Sequence, residues 1–311
     1  MDQNKKNTIL LFSFLVLCAI SFALFFVSEG STTEIDSSLF KLIEPNVIDQ
    51  VIIENETIKT ELKYSGTQWK LNNIYEADRN LVDVLFATIA QATPKRMAAK
   101  SIRDSVVNQI LKTGIKISFN SGGQTQKQFY VSGDGSTVTY FMAEDKIPYV
   151  MVIPGYKVYV GGIFEQDANA WRDKRIFNFN WRNFKELSAE FPADPKQKFS
   201  VAMTGKYFSI ADGVNTDTAS LNNYLDAVSL ITADGFYKVG ESAETDSISQ
   251  SKPIMSITVK DVANQTYNLQ IFEIKKDNRN VLGKWNDDFA WFNRRNILPL
   301  YKKRKEFVRN N

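Results

Sequence analysis

The chain has 311 residues, 43% of them hydrophobic and 23% charged, with 38 Lys and Arg against 35 Asp and Glu and no histidine. This length supports one large or two moderate domains with a sizeable core, and the composition excludes wholesale disorder. The lack of histidine excludes Ser-His and Cys-His catalytic pairs and the commonest zinc ligand, while a single cysteine, Cys18, excludes a disulfide framework. Any catalysis would have to rest on carboxylates, lysines, tyrosines or hydroxyls. No catalytic, cofactor-binding or metal-binding set emerges, so the chain reads as a non-enzyme. Charge is uneven: residues 1–28 carry +1, residues 294–311 carry +6, and 29–293 carry −4.

Thr8 to Val27 is an uncharged run of 20 residues rich in Leu, Phe, Ile and Val. At about 1.5 Å per residue it would reach roughly 30 Å, the thickness of a bilayer core. Lys5 and Lys6 precede it, whereas Glu29, Glu34 and Asp36 follow. The positive-inside rule then predicts a single-pass membrane protein with its N-terminus in the cytoplasm and everything after residue 28 on the far side. A cleaved signal peptide is the rival, but the run exceeds the roughly 7–15 apolar residues of such signals. Lipid attachment at Cys18 is disfavoured by the bulky Leu17 before it. Residues 28–38 are small and polar, as a tether should be.

Val47 to Ile53 is an apolar, β-branched strand candidate, and Leu62–Tyr64 with Trp69–Leu71 reads as a hairpin around Ser65-Gly66. Asp78 is placed to cap a helix whose apolar stripe is Val82, Leu85, Phe86 and Ile89. A second helix is predicted from Ser101 to Lys112, stopped by Gly114. From Ile115 the period becomes two, with strands at Ile115–Phe119, Gln128–Val131, Tyr140–Met142 and Tyr149–Ile153.

The same order returns later. At an offset of 139, Gly66, Trp69, Leu71 and Asp78 become Gly205, Phe208, Ile210 and Asp217, and the stripe becomes Leu221, Tyr224, Leu225 and Val228. Ile117 and Phe119 correspond to Ile257 and Val259 at 140, while Val51 corresponds to Leu187 at 136. Near-constant spacing predicts an internal duplication. The fold class expected is α+β: an N-terminal transmembrane helix, then two tandem similar lobes, each a mostly antiparallel sheet with one or two helices. The domains predicted are 1–30 (cytoplasmic stub and anchor), 31–165 (first lobe) and 166–311 (second lobe with a basic tail).

Two clusters are candidate interaction sites. Trp171, Arg172, Asp173 and Arg175 lie where the copies meet and could bind a carboxylate or phosphate. The favoured reading is that they brace the seam, with Trp171 buried and Asp173 paired to an arginine. Lys302, Lys303, Arg304 and Lys305 could contact anionic lipid or an acidic partner, or form a solvated tail. Nucleic acid is disfavoured, because no recognition motif accompanies the charge. Gly133-Asp134-Gly135 and Asp212-Gly213 read as turns, as does Asp287-Asp288. Asn55-Glu56-Thr57 and Asn264-Gln265-Thr266 fit a glycosylation sequon short enough to recur by chance.

The basic and apolar N-terminus, Trp69-Lys70-Leu71 with Asp78, and Arg172-Asp173-Lys174-Arg175 before Ile176-Phe177 together resemble a family of uncharacterised bacterial envelope proteins. Members look like a membrane anchor followed by a duplicated domain, often encoded beside gliding-motility-type ABC transporters. The resemblance implies a protein of the bacterial inner membrane whose C-terminal domain is periplasmic, in an accessory role at such a transporter or another envelope complex, and it supplies no catalytic residues. The expected function is thus a non-catalytic, membrane-anchored protein-interaction module. The alternative is an extracytoplasmic receptor for a small molecule, glycan or lipid, bound between the lobes.

Overall fold

The computed structural model describes residues 11–22, 35–177, 179–205, 207–211, 215–273 and 279–309. They form two compact units. The first comprises Met1–Ile43, Thr88–Gly114 and Phe129–Gly161; the second comprises Glu44–Ala87, Ile115–Gln128 and Gly162–Asn311.

Residues 11–22 are helical (α1). One antiparallel sheet contains β1 (Gln50–Glu54), β2 (Lys59–Tyr64), β3 (Trp69–Leu71), β4 (Tyr75–Glu76), β5 (Thr93–Met97), β6 (Ile115–Ser121), β7 (Gln124–Gly133), β8 (Thr139–Met142) and β9 (Pro148–Val152). Its spatial order is β4-β3-β2-β1-β6-β7-β8-β9-β5. The other contains β10 (Phe184–Glu190), β11 (Phe199–Thr204), β12 (Tyr207–Ile210), β13 (Gly235–Tyr237), β14 (Met255–Asp261), β15 (Thr266–Ile271), β16 (Asn280–Trp285) and β17 (Asp288–Asn293). Its order is β12-β11-β10-β14-β15-β16-β17-β13. Apart from β4, the two orders correspond strand for strand. Registers correspond too: Val51 faces Leu62 and Phe119, while Leu187 faces Val201 and Val259.

These sheets correct the expected α+β class. Two antiparallel sheets of nine and eight strands dominate and helices are few. They are α2 (Arg79–Gln91), α3 (Lys100–Thr113), α4 (Ala168–Trp171), α5 (Thr218–Ser229), α6 (Ala243–Ser249) and α7 (Arg294–Ile297). The N-terminal transmembrane helix is corrected as well, because among the described residues no helix is long and apolar enough to cross a membrane. The rest of the apolar run, Lys5, Lys6 and most of the tether lie outside the described residues, as does Asp212-Gly213.

Local chemistry explains where the elements begin and end. Asp78 Oδ1 accepts the amides of Asn80 and Leu81 at 2.9 and 3.2 Å, satisfying free donors at the start of α2. Asp217 does the same for Ala219 and Ser220 at α5. Gly66 and Gly205 turn the two β hairpins with φ of +91° and +66°. Gly114 ends α3 for another reason. Its φ is −66°, so no left-handed residue is needed, but a Cβ there would lie 2.4 Å from the Ile110 carbonyl oxygen. Gly114→Ala is expected to lower stability by about 1–3 kcal/mol through overpacking, read as a lower urea midpoint.

The cores are built around aromatic rings. In the first unit Phe40 meets Phe129, Phe141 and Tyr149 edge-on at 5.4–5.8 Å. In the second, Phe199, Tyr224 and Phe307 form a triangle of 5.0–5.6 Å contacts beneath the Leu221–Leu225–Val228 face of α5.

Candidate functional site

The segment after Asp167 is stitched into the second unit on both sides. Asp167 caps α4 by accepting the Ala170 amide at 2.8 Å. The Trp171 carbonyl then accepts from the Asp78 amide and the Asp173 amide donates to the Glu76 carbonyl, both at 2.8 Å, with Ala77 bridging to Arg172. Farther along, the Ala233 amide donates to the Lys174 carbonyl at 2.8 Å, and Arg175 bridges Thr232. The segment is therefore a clasp between two stretches of chain that are far apart in sequence.

Trp171 is fully buried, and its indole Nε1 has no hydrogen-bond partner among the described residues. Arg172 is buried with a side chain only 7% exposed, yet its charge is well satisfied. Its guanidinium lies between the rings of Tyr75 (3.7 Å) and Phe236 (3.6 Å), with Trp285 at 5.4 Å. It also donates to Asp288 Oδ2 at 2.6 Å. Asp288 opens β17 directly opposite Trp285 of β16, so the hairpin that contains the predicted Asp287-Asp288 turn delivers both groups. Asp173 receives Arg175 Nε at 3.1 and 3.0 Å on its two oxygens. That bond holds the Arg175 guanidinium even further above its ordinary value.

The clasp lines a cleft of about 310 Å³ whose walls come from residues 70–76, 172–176 and 265–288, all in the second unit. Its other ion pair is Lys70 with Glu76 at 3.7 Å. Burial raises the Tyr267 hydroxyl above its usual range, with the charges of Asp261 and Glu76 adding to the effect.

The structure brings Trp171, Arg172, Asp173 and Arg175 together but not with the C-terminal cations. Lys303 Nζ donates to Asp194 at 2.8 Å, and the Lys305 amide donates to the Gln197 side chain at 3.2 Å. Lys302 stands 6.0 Å over the ring of buried Phe307. Arg304 begins the single 3-10 turn that ends at Phe307. The solvated-tail reading thus gives way to a docked strap.

The strap makes the same three contacts as the clasp. The Asp217 amide donates to the Phe307 carbonyl, Thr216 bridges Val308, and the Arg309 amide donates to the Asn215 carbonyl. Trp171 and Phe307 occupy matching places, 136 residues apart.

The Asp194 hydrogen bond raises the Lys303 ammonium above its ordinary value. A raised folded-state value adds stability that is complete below the unfolded lysine value of about 10.4 and is lost as pH rises through the folded one. Stability of the wild type should therefore fall more steeply above about pH 10.4 than that of Lys303→Gln, as read from paired urea titrations across pH.

The sequence reading missed one surface feature. Trp181, Tyr207 and Phe208 line a groove of about 330 Å³ with Thr218, Asn222 and Asp226 of α5. Trp181 is 48% exposed and Tyr207 71% exposed, while the rings of Trp181 and Phe208 lie 5.2 Å apart. The available signal was a tryptophan set among turn-forming polar residues, Asn180-Trp181-Arg182-Asn183. Asp134, read as turn chemistry, is that: it accepts the Thr137 hydroxyl and the amides of Thr137, Val138 and Ser136, and these bonds, the hydroxyl's foremost, hold its carboxyl well below the usual range.

Among the described residues no group of three or more His, Cys, Asp or Glu side chains is arranged to hold a metal ion. A family model described as a domain of unknown function, DUF4340, matches residues 69–253, more than half of the chain. No curated protein and no solved structure matches.

Proposed function

The chain belongs to the DUF4340 family, a domain of unknown function, and on that premise we propose that it is a non-catalytic protein-interaction module of the cell envelope. The observation that carries this reading is the groove at Trp181, Tyr207 and Phe208. Large aromatic side chains left in water forgo the roughly 1.5–3 kcal/mol that burying a large apolar side chain provides. Tryptophan and tyrosine are also the side chains that most often dominate binding energy at protein interfaces. The paired charges around the clasp support a binding role over a catalytic one, because Lys70, Arg172 and Arg175 are each already matched with a carboxylate.

The envelope location is supported by the exposed apolar side chains of α1, among them Leu11, Phe12, Leu17 and Phe22, and by the resemblance to proteins encoded beside ABC transporters. A transporter assembly is the partner we propose. The matched strand orders, and the matched clasp and strap, support an origin by internal duplication.

Cross-linking in native membranes followed by purification tests the reading. A transporter component should be recovered with the wild type and lost with Trp181→Ala/Tyr207→Ala, a change of about 2 kcal/mol or more in affinity. Equal recovery with both proteins, each folded by circular dichroism, would refute it.

A further inference from the structure

The clasp and the strap are equivalent in backbone contacts and unlike in charge. Around the clasp, Lys70, Arg172 and Arg175 are each matched with a carboxylate. The strap is not balanced in this way. Asp194 accepts Lys303, and Gln197 of the turn Pro195–Gln197 accepts the Lys305 amide, so residues 194–198 and 301–309 lie side by side. Together they carry seven cations against Asp194 and Glu306, a net charge of +5. The whole chain totals +3, so everything else sums to −2. Lys303 with Asp194 is the ion pair found there; among the described residues Lys196, Lys198, Lys302 and Lys305 pair with no carboxylate. Like charges crowded in this way repel one another until a counter-charge arrives.

Two apolar side chains stand among these cations. Leu298 is 43% exposed and Tyr301 37% exposed, the latter set edge-on against Phe191 at 5.6 Å. The backbone beneath them is anchored, because Ile297, Leu300 and Phe307 are buried in the core of the second unit. Cations and apolar tips are therefore held on a firm support and not on a frayed end.

We propose that this face rests on the surface of an anionic lipid bilayer. The contact presupposes the envelope location proposed above and is independent of the partner at the aromatic groove. Lipid headgroups form a diffuse anionic layer without fixed geometry. That suits lysine, a hydrated point charge, better than it suits a forked guanidinium. Tyrosine settles at headgroup depth, and an apolar side chain such as leucine reaches the acyl boundary. An acidic protein is the poorer match, since lysine is depleted at protein interfaces.

Backbone hydrogen exchange across residues 298–306 of the full chain tests the contact, with vesicles of phosphatidylcholine alone or mixed in equal parts with phosphatidylglycerol. Any attachment through the apolar N-terminal residues is common to both vesicle types. Exchange should slow with the mixed vesicles, stay as in solution with the neutral ones, and recover at high salt. A lysine near an anionic surface contributes about fivefold in affinity, so Lys196→Gln/Lys305→Gln should lower the docked-to-free ratio about 25-fold. Lys63→Gln/Lys112→Gln removes two exposed cations from β2 and α3 and should leave the slowing unchanged. No slowing with the mixed vesicles, equal slowing with neutral ones, or slowing indifferent to Lys196→Gln/Lys305→Gln would each overturn the proposal. Soluble poly-glutamate that slows exchange as strongly as the mixed vesicles would overturn it too, by assigning the face to an acidic protein. Thermal unfolding of each variant separates loss of docking from loss of the fold. Failure in vesicles that hold no other protein is distinct from failure to recover a transporter component, which reads the groove.

Discussion

Trp171→Ala is expected to cost about 3–5 kcal/mol of folding stability, the range for removing a large aromatic from a fully packed site. The indole is completely buried, and its residue carries the carbonyl that accepts the Asp78 amide. Truncation opens a cavity and loosens the segment that ties residues 76–78 to residues 231–233. Trp171→Phe should be far milder, because it also removes a buried N–H that has no partner among the described residues and whose desolvation costs about 1–3 kcal/mol. Urea unfolding of both variants is the measurement. Equal losses would show that packing around the indole, and not the closing contact, sets the cost.

Asp288→Asn should be the second most damaging change. It leaves the Arg172 guanidinium, 7% exposed, without its anion. Stripping one partner from a buried pair costs about 3–5 kcal/mol, and the expectation here is about 2–4 because the Asp288 side chain is 39% exposed and water screens the loss. The double variant Arg172→Met/Asp288→Leu removes both charges and should be more stable than Asp288→Asn alone. Arg172→Lys should not substitute for the native residue, since an ammonium cannot lie flat between Tyr75 and Phe236 as a guanidinium does. A double-mutant cycle on Arg172 and Asp288 should give a coupling of at least about 1 kcal/mol.

Sequence spacing carried a good deal of the local structure. Asp78 and Asp217 cap helices as their positions predict, and the hairpins at Gly66 and Gly205 form where the glycines allow positive φ. The offsets of 136, 139 and 140 correspond to real strand registers, with Val51 and Leu187 in equivalent pairings. Period-two patterns reveal strands that bury one face, which is why β6 and β14 are legible.

What was not legible depends on contacts distant in sequence. β5 carries Pro94, which normally argues against a strand; it is tolerated because β5 closes the edge of its sheet and has an irregular register there. The two-residue β4 is too short to show a period. The balance of sheet over helix depends on the same distant contacts, and the length, hydropathy and flanking charges of the apolar N-terminal run predict a spanning helix that is not found among the described residues. At the site, Trp171 and Arg172 stood out as residue types, but nothing local indicates that Arg172 pairs with Asp288, 116 residues away. The Trp181–Tyr207 groove likewise exists only once β12 and α5 are brought beside residue 181.

The clasp and the strap also set an order of events during synthesis. The stretch at residues 76–78 finds its closing partner only when residues 171–173 have been made, and the stretch at 215–217 only when residues 307–309 have been made. Each half of the chain therefore leaves the ribosome with its last lock still missing, and the earlier half can engage its own while the later one is being translated. On stalled nascent chains carrying a C-terminal linker long enough to fill the exit tunnel, protease resistance should appear in two steps, one after residue 173 and the other after residue 309 has cleared the tunnel.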